Sequence, residues 1–302
     1  MNQTYKDANE LFAKSSTTYF YSHYFFPKRI RDEITILYAF VRTADNFVDK
    51  IPQDIEGFRR FKDTTKRGLQ GEIIDNPIID AFIGLSRRHK LDKNLIFAFL
   101  DAMEQDISVS RYNTHEDLNR YMYGSAEVIG LIICKILHLP EQAHIAACTQ
   151  GRAMQFINFI RDVAEDLRFG RIYIPQEDLR KFHINRIPPI TPNEVESFSR
   201  LIRYEIYRYR AMQNSAVSGY RFIPWQYRIA VRTAAEMYEW TAQIIEKDPM
   251  IIFRKKVKPS RMRVILQALL NGIKIMPLLI RSLYGYSDLY KQKQTAFGKT
   301  HR

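Results

Sequence analysis

Residues 155–166 read QFINFIRDVAED and combine an apolar helical pattern with a row of oxygen-bearing side chains. Asn158, Asp162 and Asp166 recur every four residues, a spacing that places them on one face of a helix. The residues between them are largely apolar, which favours a buried helix over an acidic stripe facing solvent. A buried row of carboxylates is very costly without cations, and hard oxygen ligands suit Mg²⁺, so this row is a candidate magnesium site.

A second acidic pair, Asp45 and Asp49, has the same spacing within VRTADNFVD, residues 41–49. By itself this pair carries little information, since chance supplies about one such pair in a chain of this length. Arginines lie beside both acidic segments, at positions 42, 161, 168 and 171. Arginine matches phosphate oxygens in a bidentate manner, although charge balance is the alternative explanation for each of them. Carboxylates, Mg²⁺ and arginines together are typical of a site that stabilises a departing diphosphate.

The hydrophobic pattern is helical along nearly the whole chain. Apolar residues recur at three- and four-residue steps in segments such as 30–48, 95–107 and 145–163. Breakers separate these segments, namely Pro27, Pro52, Pro77, Pro140, Pro175, Pro188, Pro189, Pro224 and Pro259. The pattern predicts an all-α fold of about ten helices with a long loop over 172–192.

Length and composition predict one domain. The chain has 302 residues, of which 46% are hydrophobic, with only 12 Gly and 12 Pro and no linker-like stretch. We expect a single domain over 1–302, with a core at about 12–285 and a short polar tail at 286–302. The first residues lack an apolar signal-peptide core, and no stretch offers the roughly 20 apolar residues of a membrane span. The sequence therefore predicts a cytoplasmic protein.

The net charge of +13 favours anionic partners: nucleic acid, an anionic membrane or a polyanionic substrate. Much of this charge lies at 254–263, and an apolar helical pattern follows over 264–283. One interpretation is a final core helix with a solvated basic lead-in. The other is a peripheral membrane contact, in which basic residues meet anionic headgroups and the apolar face inserts.

Other kinds of site find no support in the sequence. The seven histidines are scattered, and no pair of them has the spacing of zinc ligands. No glycine-rich phosphate loop or dinucleotide fingerprint appears, which weakens the case for a nicotinamide-dependent enzyme. The candidate chemistry therefore centres on the two acidic pairs.

The chain resembles the squalene and phytoene synthase family from about Thr17 to Val257. The stretch over 155–175, which ends in RIYIP, is similar to one family signature in full, and YMYGSAEVIG at 121–130 is similar to another. YAFVR at 38–42 also fits. The second signature departs at Glu127, where a small residue is more usual, so a carboxylate there either enters the pocket or points away. The small residues around it are expected to leave space for a long chain.

The resemblance implies the isoprenoid synthase fold, a single helical domain around a central apolar cavity that both acidic helices face. It implies catalytic roles for Asp45, Asp49, Asp162, Asp166, Tyr121 and Arg42. It implies a Mg²⁺ site, with Mn²⁺ as an alternative, made by Asp45, Asp49, Asn158, Asp162 and Asp166. It implies substrate-binding roles for Ser16, Thr18, Tyr38, Gln155, Asn158, Arg161, Arg171, Tyr173 and Arg254.

The reaction that the resemblance implies is the head-to-head condensation of two geranylgeranyl diphosphates to phytoene through a cyclopropyl diphosphate, without NADPH and without a nucleic-acid partner. The first alternative is the C30 condensation of two farnesyl diphosphates to dehydrosqualene or squalene. A terpene enzyme that cyclises or elongates chains is another, and the long signature argues against it. A non-catalytic basic helical protein that binds lipid or RNA is the last, and under it the acidic residues are expendable.

Overall fold

The computed structural model describes residues 3–274, and these residues are almost wholly helical. No strand occurs among them, and an isolated bridge joins Arg111 to Ile172. The all-α prediction is confirmed. The helices are α1 (Gln3–Ser15), α2 (Thr17–His23), α3 (Lys28–Val48), α4 (Ile55–Gln70), α5 (Pro77–His89), α6 (Lys93–Ser108), α7 (His115–Met122), α8 (Val128–Ile136), α9 (His144–Arg161), α10 (Val163–Asp166), α11 (Gln176–Lys181), α12 (Pro192–Val217), α13 (Trp225–Lys247), α14 (Ile251–Arg254) and α15 (261–274).

Helix boundaries follow the local chemistry of the sequence. Each predicted proline breaker lies outside an α-helix or at the first position of one, where its missing N–H costs nothing. Asn76 caps α5 by accepting hydrogen bonds of 3.1 Å from the backbone N–H groups of Ile78 and Ile79. The loop predicted over 172–192 is wrong in part, because the short helix α11 begins directly after Pro175.

Two helices form the centre of the molecule. α9 packs against α8, α12 and α13, and α3 packs against α1, α5 and α6. Their buried residues recur at helical steps, and one continuous apolar cluster runs from Phe26 to Val257. The boundaries of one domain over 1–302 stay a prediction, and the polar tail at 286–302 lies outside the described residues.

Close packing of the backbone surrounds the segment between α7 and α8. Residues Tyr123–Glu127 form a π-helical turn, a local widening that occurs frequently at functional sites. A Cβ atom on Gly124 would lie 2.4 Å from the carbonyl oxygen of Ala98, and one on Gly130 would lie 2.5 Å from that of Ala147. These two glycines therefore let α6 and α9 approach this segment closely.

Candidate active site

A cavity of about 680 Å³ runs between the central helices. Its wall follows α9, and the stretch from Ala147 to Asp162 spans about 22 Å at 1.5 Å per residue. Apolar side chains line the end near Ala147, among them Ile133, Leu137, Leu139, Ala146 and Ile223. Charged side chains line the other end, among them Arg42, Asp45, Asp49, Asp106, Arg161, Asp162, Asp166, Arg171, Lys256 and Lys258. A long cavity with one ionic end fits an anionic molecule that carries an apolar tail.

The acidic pair Asp45 and Asp49 lies at the C-terminal end of α3. Asp45 is in its last turn, and Asp49 caps it by donating its backbone N–H to the Asp45 carbonyl at 2.9 Å. An Nη atom of Arg42 lies 3.5 Å from the Asp45 carboxylate and 3.8 Å from that of Asp49. The predicted grouping of these three residues on one side of the helix is therefore present.

The acidic row Asn158, Asp162 and Asp166 does not lie on one continuous helix. α9 ends at Arg161, and Asp162 adopts φ −100° and ψ 11° before α10 begins. The spacing of the row is nevertheless kept, because Asp162 donates its N–H to the Asn158 carbonyl at 2.8 Å and Asp166 donates to Asp162 at 2.9 Å. Arg161 holds Asp162 in a bidentate ion pair, with N–O distances of 2.9 and 2.5 Å.

Both acidic segments carry carboxylates at helix C-terminal ends, where the helix dipole repels negative charge. Burial, together with the charge of Asp49, raises the pKa of Asp45 to about 7. Burial likewise raises the pKa of Asp166 to about 8, together with the charges of Asp162 and Asp49. Burial alone would raise the pKa of Asp162 too, but Arg161 outweighs it and the net pKa is lowered. Ionising Asp45 and Asp166 together is therefore costly at this ionic end unless a further cation lies beside them.

The donor set at this end fits a hard divalent cation. Its carboxylates and the Asn158 amide offer oxygen atoms only, as Mg²⁺ requires. The Asn158 Oδ1 atom is buried and has no hydrogen-bond partner within the part of the chain that the structure describes. A buried acceptor of this kind is costly unless a ligand satisfies it.

Asp106 belongs to the site, and our sequence analysis missed it. This buried carboxylate on α6 accepts hydrogen bonds from the Tyr121 hydroxyl at 2.7 Å and from the Tyr173 hydroxyl at 2.8 Å. The Tyr173 ring also stacks on Phe159, with 4.1 Å between ring centroids. Asp106 has no partner at helical spacing, so no local pattern marks it. It fixes two aromatic rings beside the ionic end of the cavity.

The structure brings most of the predicted substrate-binding residues to the cavity. Those that line it are Ser16, Thr18, Tyr38, Gln155, Asn158, Arg161, Arg171 and Tyr173. Arg254 differs from the expectation, since it is exposed and pairs with Asp248 outside the cavity wall. Lys256 and Lys258 line the cavity instead, and the Lys256 Nζ atom lies 3.4 Å from the Asp162 carboxylate. Arg254 is the last residue of α14, whereas the backbone is extended from Lys255 onward, so Lys256 and Lys258 share one side of the extended segment while Arg254 keeps the direction set by the helix.

Glu127 points away from the cavity. Its carboxylate is 4% exposed and accepts a hydrogen bond of 2.7 Å from Arg152, a residue of α9. It is absent from the cavity wall, unlike its neighbours Ser125 and Ala126. The departure of this chain from the family signature at Glu127 therefore leaves the charge of the cavity unchanged.

Comparison with known proteins agrees with this fold. A profile described as Squalene/phytoene synthase matches residues 12–263. The 15-cis-phytoene synthase of Synechococcus elongatus is 25% identical over 272 residues, which cover 85% of this chain and 88% of the relative. The 4,4'-diapophytoene synthase of Staphylococcus haemolyticus is 26% identical over 192 residues, 61% of this chain and 67% of the relative. The crystal structure of a dehydrosqualene synthase in complex with ligand superposes with a TM-score of 0.81 at 22% identity, covering 91% of this chain and 97% of its own.

A helical protein with this fold and cavity is an isoprenoid synthase in architecture, as the sequence predicted. The profile match covers most of the chain, and the chain therefore belongs to the squalene/phytoene synthase family, whose members are prenyltransferase-type enzymes.

Proposed function

We propose that the protein condenses two molecules of geranylgeranyl diphosphate head to head, giving phytoene, two diphosphates and a proton, as a step of carotenoid biosynthesis. The observation that carries this proposal is the union of an ionic end, built from paired carboxylates and arginines, with a long apolar cavity. Several relatives are named 15-cis-phytoene synthase, and this supports the C40 product over shorter ones.

The ionic end binds the diphosphates. Arg42, Arg161 and Arg171 would hold their oxygens with planar, bidentate donors, and the lysines of the segment after α14 add two further positive charges. Mg²⁺, with Mn²⁺ as an alternative, would be held by Asp45, Asp49, Asn158, Asp162 and Asp166 and would supply positive charge to the diphosphate oxygens. Positive groups fixed at this end before substrate binds favour departure of diphosphate.

The rest of the cavity serves the hydrocarbon. One substrate loses diphosphate to give an allylic cation, and the double bond of the other attacks it, forming a cyclopropyl diphosphate. Loss of the second diphosphate, rearrangement and loss of a proton then give phytoene. Tyr121, Tyr173 and Phe159 line the wall beside the ionic end, where aromatic faces stabilise a cation and the dry cavity keeps water from capturing it. None of these reaction steps is a reduction, so NADPH is not required.

The second candidate is the C30 condensation of two farnesyl diphosphates. The relative named 4,4'-diapophytoene synthase favours it, since its identity to this chain falls within the range of the phytoene synthases. Both reactions use the same ionic end and differ in the length of cavity that the product fills. Dehydrosqualene is the expected C30 product without NADPH, and squalene is the product if the intermediate is reduced.

One assay separates these candidates. Purified protein and Mg²⁺ are incubated with geranylgeranyl or farnesyl diphosphate, with and without NADPH, and hydrocarbons are identified by mass. Phytoene from the longer substrate, unchanged by NADPH and lost with EDTA, is the expected result. A hydrocarbon from farnesyl diphosphate alone would overturn the C40 assignment. Asp166→Asn should abolish product, whereas Asp75→Asn, an exposed loop carboxylate, should leave it unchanged. Full activity in Asp166→Asn would overturn the assigned site.

We also infer a peripheral contact of the protein with an anionic membrane, made by α15. Val264, Ala268 and Asn271 face the protein, while the opposite face exposes apolar side chains, namely Met262, Leu266, Leu269, Leu270 and Ile273. Basic residues surround the start of this helix, among them Lys255, Arg261 and Arg263. An exposed apolar face beside basic residues is the arrangement of a helix that lies in the membrane interface. None of the described helices combines the length and apolarity that a membrane crossing needs, and the predicted continuation of this segment to 283 lies outside the described residues.

Co-sedimentation with vesicles tests this contact. The protein should bind vesicles that contain phosphatidylglycerol, bind pure phosphatidylcholine much less, and dissociate as salt is raised. Leu266→Glu with Leu269→Glu should remove most of the binding, whereas Ile73→Glu, at a fully exposed loop position, should not. Equal binding by the α15 variant would contradict the assignment of this surface.

A further inference from the structure

Behind the cavity wall, three side chains from separate helices converge in a second cluster. His115 begins α7, Asp178 lies on α11 and Glu205 lies on α12. One ligand-type atom from each of them falls within 4.8 Å of the other two. Asp178 and Glu205 are 3% and 0% exposed, and the His115 Nε2 atom contacts the Asp178 carboxylate. We call these three residues the rear cluster.

Glu205 lacks the partners that a buried carboxylate needs. Neither of its side-chain oxygens has a hydrogen-bond partner within residues 3–274. The nearby cation is Arg208, whose Nε atom stands 4.0 Å from Oε2 and whose side chain is about one-third exposed. At that distance and exposure the pairing is weak, and leaving two buried oxygens unsatisfied is costly. The geometry therefore calls for a further positive group between Glu205 and its two neighbours.

We propose that the rear cluster binds one Zn²⁺ ion, in a site separate from the ionic end of the cavity. Zinc binds imidazole nitrogen together with carboxylate oxygen, whereas Mg²⁺ prefers oxygen ligands alone, so one histidine with two carboxylates suits zinc. Zinc stands about 2.0–2.2 Å from such ligands, which places the ligand atoms roughly 3.3 Å apart in a tetrahedron. Small shifts of these side chains reach that spacing, and a water molecule completes the fourth position.

The position of the cluster assigns it a structural role. α7 carries Tyr121 at its far end, and α11 follows directly after the Arg171–Tyr173 stretch. The backbone N–H of His115 also donates to the Glu177 carboxylate at 2.6 Å, which ties α7 to α11. An ion at the rear cluster would join both segments to α12 and hold the wall that presents Tyr121 and Tyr173. The reaction itself does not use this ion, so its main effect is on stability.

The rival interpretation replaces the ion by a proton. Burial and the charge of Asp178 raise the pKa of Glu205 to about 9, so a protonated Glu205 would donate a hydrogen bond to Asp178. Under this interpretation Glu205→Gln preserves the hydrogen bond and the stability of the protein, and zinc has no effect on either.

The test uses full-length protein that is stripped with EDTA and transferred to excess Mg²⁺, which occupies any magnesium site. Zinc is then added, and retained metal and thermal unfolding are measured after gel filtration. We expect one equivalent of zinc and a rise in Tm of about 5 °C or more in the wild type, both lost in Glu205→Gln. The variant Asp45→Asn with Asp166→Asn should keep both effects, because it alters only the ionic end. Cobalt in place of zinc should give the intense visible absorption of a tetrahedral site in the wild type and not in Glu205→Gln.

Zinc retained equally by Glu205→Gln would overturn the proposal. So would retention that disappears in the Asp45→Asn with Asp166→Asn variant, since the ion would then belong to the ionic end. A wild type that retains no zinc, with Glu205→Gln equally stable in EDTA, would establish the proton-sharing interpretation instead.

Discussion

The Arg171 guanidinium donates a hydrogen bond of 3.0 Å to the Asp49 carboxylate and thereby links the two acidic segments at the ionic end of the cavity. A second N–H of the same side chain donates to the Val48 carbonyl oxygen at 2.7 Å. Arg171 is 4% exposed, so both bonds form away from bulk water, where they hold their geometry well. The RIYIP stretch thus fixes the end of α3 as well as lining the cavity.

Replacing Arg171 by lysine should lower kcat/KM by at least about 10-fold. Lysine keeps the charge but lacks the planar fork that bonds Asp49 and Val48 together. Diphosphate release from geranylgeranyl diphosphate measures the effect. Arg168→Lys is the matched control, because Arg168 is exposed and outside the cavity wall, and it should change the rate little. Equal rates in the two variants would contradict the linking role of Arg171.

The residues of the ionic end can be recognised in the sequence because the aspartates repeat at helical spacing and arginines lie beside them. Asp45, Asp49, Asp162 and Asp166 are of this kind, and all four line the cavity. Asp106 has no such signal, since Tyr121 and Tyr173 reach it only through the packing of α6 against the cavity wall. The rear cluster also lacks a signal in the sequence. Its three residues come from three separate helices, so the spacing of histidines does not indicate it.

Local backbone geometry explains the remaining differences. The row through Asp162 was expected on one helix, but the chain breaks there while keeping its hydrogen bonds to the residues four before and four after. Arg254 ends α14, whereas the segment after it is extended, and a two-residue period within that segment brings both Lys256 and Lys258 to the cavity. Periodicity predicts which residues share a face only where the type of backbone is known.

Asp106→Asn should change the pH dependence of stability. Burial raises the pKa of Asp106 to about 6, against which Arg171 acts, whereas the unfolded carboxyl has its ordinary value of 3.8. Between these two values the folded state holds a proton that the unfolded state releases. The contribution of Asp106 to stability is therefore fully present below about pH 4 and is lost as pH rises through about 6.

Urea unfolding of metal-free protein between pH 4.5 and 7 measures this slope. The free energy of unfolding of the wild type should fall relative to that of Asp106→Asn as pH rises, because asparagine does not ionise. Asp75→Asn, in an exposed loop, should follow the wild type. Parallel curves for wild type and Asp106→Asn would show that the buried carboxyl titrates normally.

Ala147→Phe should shorten the product. Ala147 lines the apolar end of the cavity, about 22 Å from Asp162 along α9, and a phenyl ring there would fill the space that the end of a C20 chain needs. Turnover of geranylgeranyl diphosphate should fall at least about 10-fold, while turnover of farnesyl diphosphate is kept or gained. Ile145→Phe adds the same ring two residues away at a position that is 83% exposed, and it should leave the product unchanged. Unaltered chain selectivity in Ala147→Phe would mean that the substrate does not extend to this end.

The Glu127–Arg152 pair should respond unequally to removal of its two members. Glu127 is 4% exposed, whereas the Arg152 side chain is about one-third exposed and lies within 2.7 Å of it. Arg152→Met leaves a buried carboxylate without its cation and should cost about 3 kcal/mol of unfolding free energy. Glu127→Gln keeps a hydrogen-bond acceptor and frees an arginine that can turn to solvent, so its cost should be about 1 kcal/mol. Both variants should keep the wild-type hydrocarbon product, since neither residue lines the cavity. Urea denaturation gives the two values, and a larger loss of unfolding free energy in Glu127→Gln than in Arg152→Met would contradict the burial argument. A changed product in either variant would mean that the pair acts on the cavity.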